Sequence, residues 1–511
     1  MKKIFYSLFF LGLLSLYSCD SWLELDPIGS KTTDNYIKDY ASAVAAYNGV
    51  HEVFLNLYTG EYQTLLEAIS DDAFVPSHVD GAPYRAFDQL QISEGSGAGF
   101  YGSLYTGISR INTALDKIEL LDNENEAQKV NYLKGQFLFM RGYFYFTLLK
   151  LYGEVPIVPI VNTADDAKQP RASFEALYDR IEEDLIMAAG LMPEALDNSL
   201  GMEYGKPYKY VAHAALADFY LYFEKWSNAK TQADIIINSG NFAKAPYLVV
   251  FNRENNTLGV EYSATYNKEV LLDAYYADQK KQGFTWRITP QGRNIFRAGY
   301  GLSALYCTQN DLDIHNNESN IIPYRGTNGG LGIIDEFEPG DTRLAELFWV
   351  DDVTAPNTSG YTGTIKYDCL SYGPQATLNY PVYRYSEVLL MKAEAENELG
   401  NLTVAKQIID EQIRLAAGLG VSDATNKEEM RIAIFKERRL ELAFELKRFF
   451  DLNRRGLASE YIENRQVSVA DGGISSHEIT NPITGKKNFV FSLPLGEINA
   501  NPYIDENNPG Y

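Results

Sequence analysis

Tyr383-Arg384-Tyr385-Ser386-Glu387-Val388-Leu389-Leu390-Met391 opens a stretch, running to Gly456, around which the rest of the chain is organised. An alanine- and glutamate-rich segment follows and pauses at Leu399-Gly400-Asn401. A second helical run, Thr403 to Ala417, stops at Gly418, which suits a position just past a helix end because glycine has no Cβ to resist positive φ. A third run carries Ile432, Phe435, Arg439, Leu442, Leu446 and Phe449 at helical spacing, so one stripe is expected to face a core. The local reading is two antiparallel helices joined by a tight turn, with a third packed across them.

The first pair has an echo upstream. Ala393 and Ala405 stand 12 residues apart across their turn, and Ala217 and Ala229 have the same separation across Lys225-Trp226-Ser227-Asn228. Ile409 follows the first pair, and Ala233 and Ile236 follow the second. Small residues at a helix crossing let backbones approach closely, so both pairs are expected to cross alike. With Tyr220 ahead of Ala229, the spacing resembles the tetratricopeptide pattern of small and aromatic positions. The copies lie far apart in the chain, so this is not a simple solenoid. Trp226, in the turn, reads as packing.

At the N-terminus, Lys2 and Lys3 precede an apolar run from Ile4 to Leu16, shorter than the about 20 residues a membrane helix needs. This reads as a signal peptide over residues 1–18. Leu16-Tyr17-Ser18-Cys19 resembles a bacterial lipobox, with Cys19 the lipidated first residue of a mature chain 19–511. Tyr17 is larger than the residue usual there, and cleavage by ordinary signal peptidase, with Cys19 incidental, is the alternative. Acyl chains contribute roughly 0.8 kcal/mol per buried CH₂, so two or more make a stable anchor. No other run approaches transmembrane length. Of the remaining cysteines, Cys307 and Cys369 are free to pair after export, but nothing in the sequence fixes their distance.

The 511 residues, 45% of them hydrophobic, suffice for a large core in one or two domains. A net charge of -23, with no basic cluster among aromatics to offset it, repels phosphate backbones and argues against nucleic acid as a partner. Tyrosines number 37 against 26 phenylalanines, which favours surfaces where a ring face and a hydroxyl are both useful.

Helices are expected over Asp39–Leu57, Ser103–Glu119, Glu126–Leu151, Ser173–Ala189 (with Ser173 as N-cap and Glu182 to Asp184 on the polar side) and as a pair over Tyr208–Gly240. Gly153 with Pro156 and Pro159 stops the long one. Gly97, Gly99 and Gly102 spell G-x-G-x-x-G, but polar residues precede them where a dinucleotide site needs a buried strand, so a loop feeding a helix is the better reading. From Asn241 to Tyr380 helical periodicity fades and aromatics concentrate, among them Trp286, Tyr300, Tyr306 and Trp349. A stretch this long without regular helices is usually functional. Singly, each of these rings reads as packing; as a group they include a ligand surface.

Catalytic constellations are missing from the sequence. No H-E-x-x-H and no G-x-S-x-G occurs. Asp311-Leu312-Asp313 starts like a calcium loop, but Asn316 and Ile322 stand where glycine and glutamate are required. Glu437, Glu441 and Glu445 share a helical face with Arg438, Arg439 and Arg448 at i, i+3 and i+4 spacing, which implies ion pairing rather than acid/base work. An isolated carboxylate pair in the middle region leaves a glycosidase open.

Several separated signatures together carry a resemblance. Trp22-Leu23-Glu24-Leu25-Asp26-Pro27 after the lipobox, Arg141-Gly142-Tyr143-Phe144 leading to Tyr152-Gly153-Glu154-Val155-Pro156, and the helix from Tyr383 are three of them. The run Glu437-Arg438-Arg439-Leu440-Glu441-Leu442-Ala443-Phe444-Glu445 with Arg448, Asp451, Arg455 and Gly456 is a fourth, and the tail Pro494-Leu495-Gly496-Glu497-Ile498 with Asn507-Asn508-Pro509-Gly510-Tyr511 a fifth. In this order they resemble the SusD/RagB family of outer-membrane nutrient-binding lipoproteins, over essentially the whole chain. The resemblance implies a mainly α fold: a tetratricopeptide-like scaffold over about 35–240 and 381–456, an irregular binding region over about 241–380, few short strands, and a C-terminal tail, 457–511. It implies no enzymatic activity and no cofactor. It further implies display outside the cell as the lid of a SusC-like TonB-dependent transporter, capturing oligosaccharides and sometimes peptides. Family members place ligand aromatics before the second long helix and in the middle region; here these match, loosely, Tyr84, Phe100 and Tyr101, and Trp286, Tyr300, Tyr306 and Trp349.

Overall fold

Asp39 starts the first helix of the computed structural model, which describes residues 37–58, 61–72, 98–121, 126–194, 205–245, 250, 269–274, 333–347, 380–463 and 474–511. Its carboxylate accepts from the Ser42 N–H at 2.8 Å while Ser42 Oγ accepts from the Asp39 N–H, a reciprocal cap on α1 (Tyr40–Leu57). Ala43, Ala46, Tyr47, Val50, Phe54 and Leu57 form its buried stripe. After α2 (Glu61–Ile69) and α3 (Ala98–Ile118) comes α4 (Ala127–Tyr152), buried on nearly every side from Tyr132 onward, as a helix at the centre of a core must be. Gly153, at φ 69°, ends it; a Cβ there would lie 2.6 Å from Ile479 Cδ1, in the C-terminal tail. Then follow α5 (Phe174–Leu191), capped by Ser173, α6 (Lys209–Tyr222) and α7 (Trp226–Asn238), each packing on the one before.

Beyond α7 the described chain holds β1 (Val270–Ala274), a 3₁₀ turn at Ile333–Glu336, α8 (Thr342–Leu347), β2 (Tyr380–Arg384) and α9 (Tyr385–Glu398). Next come α10 (Leu402–Ile408), continued by a π-helical segment, Ile409–Arg414, and a 3₁₀ turn, Leu415–Ala417. Gly418 closes this run at φ 77°. Helix α9 packs on both α7 and α10, joining the two expected hairpins. Ala217, Ala229, Ala233, Ala393 and Ala405 are all fully buried, as expected of small residues at the crossings.

The third run departs from expectation. Helix α11 spans Lys427–Glu441 and stops there; α12 (Arg448–Arg454) is a separate helix, and Ile432 is 63% exposed. Between them Phe444 and Leu446 adopt φ of 59° and 58°, conformations that L-residues resist. Two long-range bonds hold the turn: the Leu446 N–H donates to Glu67 Oε1 at 2.8 Å, and Tyr380 Oη donates to the Phe444 carbonyl at 3.1 Å.

The tail contains α13 (Ala458–Glu463), the hairpin β3 (Glu478–Thr480) with β4 (Lys487–Phe489), and α14 (Leu495–Ala500). It returns to the N-terminal half, where Asn508 donates to the Tyr152 carbonyl at 2.9 Å, while also donating within the tail to the Phe491 carbonyl at 2.7 Å. The architecture is mostly helical with few short strands. Among the described residues no helix is long and apolar enough to cross a membrane.

Candidate functional site

The middle region leaves and re-enters the scaffold at one place. Strands β1 and β2 pair antiparallel, with Ala274 opposite Tyr380 and Val270 opposite Arg384, so residues 275–379 begin and end at the same two-stranded ribbon. Glu269, just before β1, is fully buried. Its carboxylate accepts from Arg384 Nη1 at 3.0 Å, from the N–H and hydroxyl of Ser386 at 3.1 and 2.6 Å, and from the Ala245 N–H at 3.1 Å. Arg384, 1% exposed, also donates to Glu441 Oε1 at 2.9 Å and by two nitrogens to Glu445 at 2.8 and 3.0 Å. Burial works against its charge, but Glu445, Glu441 and Glu269 outweigh that and hold its pKa well above the usual value. Burial likewise pushes Glu441 up, yet Lys244, Arg384 and Arg343 keep it well below the ordinary carboxylate range.

A second set of anchors pins residues 336–343 to the same helix. Arg343 makes a bidentate pair with Asp341 (3.0 and 2.8 Å) and reaches Glu437 at 2.9 Å. Arg414 clasps Glu338 (2.8 and 2.7 Å) and Glu437 (2.8 Å). Arg439 binds Glu336 and, at 2.7 Å, Asp72, while Arg448 binds Asp71 at 2.6 and 2.7 Å. Helix α11 is thus a rail of alternating charges to which the segments of Asp72, Lys244, residues 336–343, Arg384 and Arg414 are fastened. The sequence pattern on this helix announced ion pairing, which the structure contains. The partners differ from those expected: they come from other segments and are buried, rather than lying one turn away on the same helix. Asp184 is a parallel correction, since it lies not on a polar face but fully buried, bonded to Arg141 through both oxygens at 2.7 Å.

Of the aromatics named from the sequence, Phe100 and Tyr101 are described, and both are packed into the core at the start of α3. Phe100 meets Tyr62 edge-on at 5.2 Å; Tyr101 packs on Tyr105 at 4.7 Å and Tyr152 at 5.2 Å. Their rings serve the junction of α2, α3 and α4. Tyr84, Trp286, Tyr300, Tyr306, Trp349 and the lipidation candidate Cys19 lie outside the described residues, as do Cys307 and Cys369. Glu269 escaped the sequence reading, because it sits in an unpatterned stretch and acquires meaning only from Arg384, far along the chain.

Beside the Arg384 clamp a groove of about 390 Å³ is lined by Lys244, Thr342, Arg343, Gln412, Leu415 and Glu441, among others. Lys244 and Arg343 in its walls are already paired with Glu441, which, held ionised, is not poised as a general acid. Glu387, whose pKa burial raises, is sealed in the core against Lys447 at 2.9 Å. Among the described residues no His, Cys, Asp and Glu group is arranged to hold a metal ion. What this arrangement does is hold the two ends and one internal segment of the middle region on a fixed base.

Comparison with known proteins gives the same answer at both ends of the chain. Residues 370–511 match the model of the SusD family, and residues 34–221 match one described as starch-binding, associating with outer membrane. Two SusD-like proteins of Formosa agariphila are 26% and 24% identical, each aligned over 98% of this chain and nearly all of their own length. Among solved structures, a laminarin-binding SusD-like protein superposes with a TM-score of 0.66 at 21% identity, covering 93% of this chain and 100% of its own. A SusD homolog from Bacteroides thetaiotaomicron gives 0.69 at 17% identity, covering 94% and 98%. The helical frame, the family models at its two ends and the full-length relatives together place this chain in the SusD/RagB family of substrate-binding, non-catalytic proteins.

Proposed function

We propose that the chain is a cell-surface lipoprotein that binds oligosaccharides, with peptides as the other ligand class, and delivers them to a partner SusC-like TonB-dependent transporter. Cys19 carries the lipid, and the mature protein faces outward from the outer membrane. The ligand meets the middle region, 241–380, where Trp286, Tyr300, Tyr306 and Trp349 offer ring faces to the C–H faces of sugars and the tyrosine hydroxyls offer hydrogen bonds. Tyr84, ahead of the second long helix, is the remaining candidate. Phe100 and Tyr101, committed to packing, act by holding the start of α3 rather than by touching the ligand.

The observation that carries this reading is the clamped base. The described ends and one internal segment of a region rich in aromatics and poor in helical pattern are anchored by buried ion pairs, and preorganisation of that kind lowers the entropic cost of binding. The outer-membrane description of the N-terminal family model and the laminarin-binding relative support the ligand class and location. The test is a glycan-array screen of residues 19–511, joined to affinity purification from native membranes. Retained glycan and a co-purified β-barrel of transporter size are expected. An array blank for every glycan and peptide overturns the ligand class, and Cys19→Ala protein that stays in the membrane fraction overturns the anchor.

A further inference from the structure

Where α4, α6, α9, α11 and α12 meet β2, the molecule holds a small polar chamber of about 30 Å³. Its walls include Lys150 and Tyr143 of α4, Asp218 of α6, Glu387 of α9, Arg438 of α11 and Asp451 of α12. Arg438 is 3% exposed; its Nε and Nη2 donate to the two oxygens of Asp451, each at 3.0 Å. Its Nη1 is buried and has no hydrogen-bond partner among the described residues. A charged donor left so costs several times the net worth of an ordinary hydrogen bond, so native structures supply it with an acceptor.

We infer that the chamber binds ordered water, one molecule of which accepts from Arg438 Nη1 and donates onward to the carboxylates in the walls. The space exceeds the about 10–15 Å³ that a cavity needs to admit a water molecule. The charge around it selects among small occupants. Lys150, Lys447, Arg438 and Arg454 face Asp218, Glu387, Glu445 and Asp451, so cations and anions balance. Each is also engaged: Lys150 with Asp218 at 3.7 Å, Lys447 with Glu387 at 2.9 Å, Arg438 and Arg454 with Asp451 at 3.0 and 2.9 Å, and Glu445 with Arg384, behind the wall, at 2.8 Å. An anion would find no uncompensated positive charge, and a cation cannot satisfy a donor. A neutral molecule that both accepts and donates satisfies both conditions.

The position gives this water a job. Lys447 Nζ, in the chamber wall, donates to the Val382 carbonyl of β2 at 2.9 Å, and Leu446, in the strained turn, is another wall. The water therefore completes the hydrogen bonding at the seam between the N-terminal helices and the base of the middle region. The test is diffraction to high resolution from wild-type protein grown in bromide, which needs no variant to fold. One fully occupied oxygen peak within about 3 Å of Arg438 Nη1, without anomalous signal, is expected. An anomalous bromide peak in the chamber would make it an anion site and overturn the inference. A chamber without density, with Nη1 turned onto a protein acceptor, would overturn it as well.

Discussion

Arg384 gathers carboxylates from Glu269, 115 positions away, and from Glu441 and Glu445, 57 and 61 positions away. Removing the guanidinium would take a charged partner from all three buried acids, with Glu441 keeping Lys244 and Arg343, which is why one partner of a buried network matters more than the network's net worth. Arg384→Met is expected to lower stability by about 3–5 kcal/mol, measured by urea titration, with a fall in glycan affinity that tracks the loosened base. Wild-type stability in this variant would show that the clamp is ornamental. None of this pairing could be read from Arg384 itself. The sequence showed an arginine ahead of an apolar helix, and its meaning depended on acids whose own surroundings carry no pattern.

Individual elements were far more legible. Helix α1 was readable because Asp39 supplies a cap and the apolar stripe of Ala43, Tyr47, Val50 and Phe54 repeats at helical spacing. Asp39→Ala is accordingly expected to cost about 1 kcal/mol, seen as a small drop in the thermal midpoint. The end of the run after α10 was readable from Gly418, whose positive φ is tight as well as left-handed: a Cβ would come within 3.2 Å of Thr342 Cγ2 and 3.3 Å of the Gly340 carbonyl. Gly418→Ala should cost about 1–2 kcal/mol or more by calorimetry, and an unchanged midpoint would contradict the assigned conformation. The break after Glu441 was not readable. Leu442, Leu446 and Phe449 continue a helical stripe, and what overrides it is Glu67, 379 positions away from Leu446, together with Tyr380. Local propensity yields there to bonds the local sequence cannot contain. The same holds for the site: the aromatic enrichment of the middle region is visible in composition, whereas the rail of α11 that anchors it is tertiary.

For the whole molecule, charge is organised more than it is abundant. Glu338 and Glu394 both have pKa values near 2 in the folded protein. For Glu338 the hydrogen bond from Arg414 is the largest cause; for Glu394 burial pushes upward and Arg454 and Arg455 overcome it. Both lie below the ordinary glutamate value of 4.5, so the unfolded chain binds more protons between these limits. Their contribution is complete above that ordinary value and is lost as pH falls through about 2. Burial raises Asp72, Asp184 and Glu387, which act in the opposite sense, but Asp451 and Glu441 join the depressed group. Stability is therefore expected to fall on acidification from about pH 5 toward pH 3, followed by denaturant titration at each pH; a rise over that interval would contradict the buried network. Such a frame makes sense for a protein that binds its ligand and leaves it chemically unchanged. The most direct measurement is titration calorimetry of residues 19–511 with the leading glycan from the array, with chromatography of the recovered glycan, repeated for Trp286→Ala/Trp349→Ala. Saturable binding of intact glycan, weakened at least about tenfold (about 1.4 kcal/mol) in a double variant that keeps its thermal midpoint, is expected. Shortened glycan after incubation, or undiminished affinity in the double variant, would contradict it.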